Sequence, residues 1–142
     1  MSSLAETTRS TGRWALGAFL LGAGLSHLTW NRVEFRAMVP GWLPLSDDLV
    51  VLASGVVEIA LGAALIALPG FRVRIGWIVA AFLVLVLPGN IAQLVDGTDA
   101  FGLDSDRARA LRLLFQPPLI LWALWSTGAW RDRRTARRVH PL

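Results

Sequence analysis

Four polar side chains stand where the surrounding sequence is almost wholly apolar: His27 in AGLSH, Glu58 in SGVVEIALG, Asn90 in LPGN and Gln116 in FQPPL. The imidazole and the carboxyl carry the most chemistry, because together they can hold or pass a proton, each donating or accepting according to its protonation. The two amides can fix a neighbour only by neutral hydrogen bonds. The acid is also the costly member: at the centre of a membrane helix it costs about 3 kcal/mol, whereas each Leu, Ile, Val or Phe returns roughly 0.3 to 0.6. Two readings of the set are open. It is either a working site, as intramembrane ionisable groups commonly are, or a set of pins that hydrogen-bond across helices and fix their register.

Spacing says which way these groups face. Gly55, Glu58 and Gly62 share one helix face at i, i+3 and i+7, and Gly17, Gly24 and His27 share one on the preceding apolar stretch. Stripes of small residues allow close helix approach, while lipid-facing stripes are richer in Leu, Val and Phe. His27 and Glu58 are therefore expected to meet inside the protein. Pro88, Pro117 and Pro118 lack a backbone donor, so the carbonyls of Val84, Leu113 and Leu114 are predicted to lie open beside Asn90 and Gln116, waiting for a side chain, water or a ligand. Gln93 and Arg112 are expected to be structural, with Arg112 reaching the interface along its aliphatic stem.

The elements that must position these residues are four apolar stretches, Trp14 to Trp30, Leu49 to Leu68, Ile75 to Val95 and Leu113 to Trp130. Each is near the 17 to 25 residues or so that ~30 Å of hydrocarbon requires of a helix. Strands of a barrel are shorter and alternate. The predicted fold is all-α, a four-transmembrane-helix bundle over residues 14–130, with tails at 1–13 and 131–142. At 1.5 Å per residue from the outer boundaries, His27, Asn90 and Gln116 fall roughly 4 to 8 Å deep and Glu58 about 13 Å. The first span is expected to be retained rather than cleaved as a signal peptide.

Composition supports a membrane location: of 142 residues, 54% are hydrophobic and only 17% charged, and the mean hydropathy is +0.53. The absence of cysteine excludes disulfides, thiolate metal sites and thiol redox chemistry in this chain. All 14 basic residues are arginine. Arg9, Arg13, Arg72, Arg74 and the run RDRRTARR fall on one side of a four-crossing chain, which the positive-inside rule makes cytoplasmic for both termini. The basic tail is then an anchor to anionic lipid. Nucleic acid is not an expected partner despite a pI near 11.4, because no aromatic-interleaved basic patch accompanies the charge. Trp14, Trp77 and Trp130 suit one interface and Trp30 and Trp42 the other, while Trp122 and Trp125 are expected to pack.

Two connections have features of their own. MVPGWLP (38–44) reads as a rigid interfacial turn, and DGTDAFGLDSD (96–106) as a solvated loop capped by Asp104 or Ser105. The acidic loop lacks the spacing of a calcium site. No metal site is predicted: His27 has no second imidazole near it, His140 falls on the other side, and no HxxxH or ExxH spacing occurs.

The pieces AGLSH (23–27), VPGWLP (39–44), SGVVEIALG (54–62), LPGN (87–90) and RLLFQPPLILW (112–122), in that order, resemble the DoxX-like family of small four-helix membrane proteins. Members commonly have an aromatic residue after the histidine, where this chain has Leu28. The resemblance implies a bacterial inner-membrane protein associated with redox or oxidative-stress systems. On that reading the pocket of His27, Glu58, Asn90 and Gln116 takes a lipid-soluble ligand such as a quinone, the cofactor the resemblance suggests. The chain itself is not expected to be an enzyme on its own. Expected partners are the lipid bilayer and a membrane redox complex or a second copy of the chain; a structural subunit and a small transporter are the alternative roles.

Overall fold

The structure, a computed structural model, describes residues 2–102 and 104–131. Its regular elements are α1 (Ser2–Leu28), α2 (Arg32–Ala37), α3 (Asp47–Ala67), a 3-10 turn (Pro69–Phe71), α4 (Arg72–Leu85), α5 (Leu87–Asp96), α6 (Asp106–Leu114) and α7 (Gln116–Thr127). The chain is all-α as expected, but it is not a bundle of four spans. Counting α4 and α5 as one bent segment, the described residues form six α-helices. Most of the basic tail, with Arg133, Arg134, Arg137, Arg138 and His140, lies outside the described residues.

Only two described segments are long and apolar enough to cross a membrane: Asp47–Ala67, of 21 residues, and Pro69–Asp96, of 28. The other two expected spans fail for different reasons. α1 has 27 residues, but its first half, SSLAETTRSTGR, is polar. Its apolar remainder, Trp14 to Leu28, reaches roughly 22 Å at 1.5 Å per residue, short of ~30 Å. α7 has 12 residues and covers about 18 Å. The four-crossing topology, the inner-membrane multi-pass localisation and the orientation of the termini deduced from four crossings are all corrected by these lengths.

Prolines account for the breaks. Ahead of Pro88 the chain turns at Val86 (φ −85°, ψ −7°), and ahead of Pro117 and Pro118 it turns at Phe115 (φ −74°, ψ −18°). Backbone N–H groups of these turns donate to the carbonyls of Phe82 and Val84, and of Arg112 and Leu113. Two carbonyls expected to be open, those of Val84 and Leu113, are thus satisfied by tightening of the last turn. Side-chain caps start α3 and α6: Ser46 accepts from the Leu49 N–H at 3.1 Å, and Ser105 from the Ala108 N–H at 3.2 Å.

α1 packs chiefly on α3, and α4 on α7. Leu16, Leu20, Leu61, Leu65, Ile75, Val79, Phe82, Leu83 and Ala123 form the main apolar core. Close approach of α1 to α3 depends on glycine: a Cβ on Gly24 would lie 2.7 Å from the Gly55 carbonyl, and one on Gly62 2.7 Å from the Gly17 carbonyl. α7 is tied back to α1 where the Trp122 indole N–H donates to the Gly12 carbonyl at 3.0 Å.

Candidate functional site

The α1–α3 interface brings the imidazole and the acid together. His27, one residue from the end of α1, lies with Nδ1 3.2 Å from Oε2 of Glu58, and both residues are about nine-tenths buried. The glycine stripes make this contact possible, since a Cβ on Gly55 would sit 2.8 Å from Cβ of His27. At that separation the groups form an ion-pair contact, yet their alignment is not that of a hydrogen bond: Oε2 of Glu58 is buried and accepts from no described donor.

Ser54 lies one helical turn before Glu58, with its hydroxyl 3.0 Å from the Val51 carbonyl and 3.4 Å from His27 Nδ1. Nδ1 thus faces both Ser54 and Glu58. Imidazole with carboxylic acid, and imidazolium with carboxylate, contain the same number of protons and are both neutral overall. Burial favours the form with less charge separation.

An aromatic stack closes the site. The Phe35 ring meets His27 edge-on with centroids 3.5 Å apart, and Phe101 meets Phe35 at 4.7 Å. The Arg112 guanidinium lies 4.5 Å from the Phe101 centroid as a cation–π contact, and burial lowers its pKa from the ordinary value. α2 holds Phe35 in place through bonds on either side of it. Arg32 Nε donates to Asp48 at 2.8 Å, and Glu34 accepts from the Phe101 N–H at 2.7 Å. Phe101 has φ +57°, a left-handed conformation that costs a bulky residue about 1 to 3 kcal/mol. The Glu34 bond and the two ring contacts hold it there. Replacing Phe35 with alanine is expected to raise the rate at which diethyl pyrocarbonate modifies His27 by roughly tenfold, the equivalent of about 1.4 kcal/mol of lost cover. An unchanged rate would show that α2 does not guard the imidazole.

The other two candidate residues do not join the pair. Asn90 is half-buried on α5 and Gln116 is buried at the start of α7. Among the described residues neither side chain makes a hydrogen bond, with the pair or elsewhere. Gln93, expected to be structural, donates to the carbonyls of Thr98 and Ala100 at 3.4 Å and so braces the α5–α6 loop. Arg109 braces it from the other side, bonding the Thr98 carbonyl at 3.1 Å, Asp106 at 2.9 Å, and Asp99. Two of the loop's four aspartates thus serve this buried arginine. Sequence reasoning missed Phe35, Phe101 and the part Arg112 plays. All three lie outside the apolar stretches, and only the fold carries them to His27.

Comparison with known proteins corrects the resemblance drawn from short motifs. A family model described as Domain of unknown function (DUF8561) matches residues 16–127. No curated protein and no solved structure matches the chain. The DoxX-like assignment, and the four-helix quinone-binding role in an inner-membrane redox system that came with it, are overturned by that match together with the two candidate spans. The matching pieces were short, and glycine, proline and small-residue patterns recur wherever apolar helices pack closely. The chain belongs to the family of the domain of unknown function DUF8561.

Proposed function

We propose that this protein is a lipid-associated binding protein, not an enzyme on its own, whose working site is the His27–Glu58 pair beneath the Phe35–Phe101 stack. The observation that carries the reading is Oε2 of Glu58, a buried carboxyl oxygen that receives no hydrogen bond among the described residues. Leaving such an oxygen unsatisfied costs about 1 to 3 kcal/mol, so the site favours a small molecule that presents an O–H or N–H donor. A quinone has only carbonyl acceptors and does not meet that need. Binding is favoured over catalysis because the imidazole and carboxyl engage each other, leaving one acceptor position rather than a nucleophile with its base.

Lipid association is supported by the exterior of the apolar segments. Val56, Val57 and Ile66 on α3, and Ile78, Val84, Leu85, Ile91 and Val95 on α4 and α5, are exposed, a larger apolar surface than a protein in water usually shows. The test is mass spectrometry of small molecules that co-purify with the full chain and with Glu58→Gln. The amide keeps the shape but turns part of the acceptor into a donor. A hydroxyl- or amine-bearing molecule should accompany the native chain and fall at least about tenfold in the variant, satisfaction of one buried carboxyl oxygen being worth that much. Equal recovery from both, or none from either, would refute the binding role.

A further inference from the structure

At the opposite end of α3 from its Ser46 cap lies a second polar feature, unconnected with the His27–Glu58 pair. It is a cavity of about 240 Å³ between the polar part of α1, the turn after α3 and the end of α7. Three residues on one face of α1 descend into it: Glu6 at the exposed mouth, Arg9 half-buried, and Arg13 at the floor, 5% exposed. Arg72 enters from the start of α4, and Arg131 adds a fourth guanidinium to the lining. Among the described lining residues, Glu6 is the single carboxylate beside Arg9, Arg13 and Arg72.

Arg13 is the residue that calls for a ligand. Its Nη1 donates to the Leu65 carbonyl, one of the open carbonyls in the last turn of α3. That bond uses one of five donors, and no described carboxylate pairs with the guanidinium. Burial, and then the neighbouring charge of Arg72, lower its pKa from the ordinary value. Two of the hydroxyls in the wall do not compete for the role of donor, since Ser126 and Thr127 direct their protons to the Ala123 carbonyl at 3.5 and 2.7 Å; the third, on Ser10, can add a neutral donor beside the arginines.

We infer that this cavity is a binding site for a phosphate-bearing anion, held by Arg9, Arg13 and Arg72. Guanidinium forks match phosphate oxygens in pairs. A single carboxylate would satisfy one fork and leave the others facing each other, whereas a tetrahedral group with several charged oxygens engages all of them. The space is ample for several waters, hence for a phosphate and part of what it esterifies. Glu6 at the mouth repels anions generally, so the attraction must come from the arginines deeper in. Because the cavity lies at the junction of the two segments able to cross a membrane, the phosphate belongs either to a lipid headgroup or to a soluble compound.

Thermal unfolding of the detergent-solubilised full chain distinguishes these sources. Inorganic phosphate, short-chain phosphatidylglycerol and phosphatidylcholine of the same chain length are titrated in turn. A saturable rise in Tm with inorganic phosphate establishes the site and a soluble source; a rise with phosphatidylglycerol alone establishes it with a lipid source. Arg13→Gln removes the cap on Leu65 and can disturb folding by itself, so the deciding variant is Arg9→Gln/Arg72→Gln, which leaves that bond intact. It should weaken either response by about tenfold or more. No rise with any anion, an equal rise with phosphatidylcholine and phosphatidylglycerol, or native affinity in the double variant would each overturn the assignment.

Discussion

Gly62→Ala is expected to destabilise the folded chain by about 3 kcal/mol, the upper part of the range for overpacked interiors, while Gly22→Ala on the same helix pair leaves it unharmed. The two substitutions add the same methyl group to helical glycines. At Gly62 it would meet backbone, 2.7 Å from the Gly17 carbonyl and 2.9 Å from the Leu21 amide, neither of which can rotate away. At Gly22 nothing lies within 4 Å. There alanine should gain up to about 1 kcal/mol from the lower entropy cost of forming helix. Equilibrium unfolding of both variants in the same detergent measures the difference. Similar midpoints would mean that α1 and α3 do not approach at backbone distance, and the contact between His27 and Glu58 would lose its scaffold.

The second large effect concerns that contact. His27→Leu should cost about 3 kcal/mol, since it takes the imidazole away from the buried Glu58 carboxyl. Changing both residues to apolar ones, His27→Leu with Glu58→Met, should restore most of the loss, because no polar group is then stranded. A double-mutant cycle by equilibrium unfolding reads the coupling directly, with about 2 kcal/mol or more expected. Additive losses would mean that the two groups are held apart by their own surroundings. The restored double variant also separates folding from binding: it should be stable and carry no ligand.

How much of this was legible beforehand differs from residue to residue. The facing of His27 toward Glu58 could be read from GAGLSH and SGVVEIALG, because a stripe of glycines on each helix leaves few other ways to pack them. α3 was nearly right in extent, since Ser46 followed by two aspartates is a strong helix start and the apolar run is unbroken. Pro88 and the Pro117–Pro118 pair suggest openings within continuous spans, whereas the chain ends one helix and begins another at each, with turn N–H groups taking up the Val84 and Leu113 carbonyls. Depth groups Asn90 and Gln116 with the pair, but depth says nothing about the direction a side chain takes around its helix. Phe35 and Phe101 carry no local signal, because their partner is 8 residues away in one case and far along the chain in the other.

The bond from Trp122 to the Gly12 carbonyl joins positions 110 residues apart, and that span has a consequence for biosynthesis. Closing a loop of that length costs roughly 4 kcal/mol in chain entropy, and the indole emerges only after every residue between it and Gly12 has been made. Until then the nascent chain must persist without this brace, held by the interlocked backbones of α1 and α3. α7 is therefore a latch, added to a nucleus already in place.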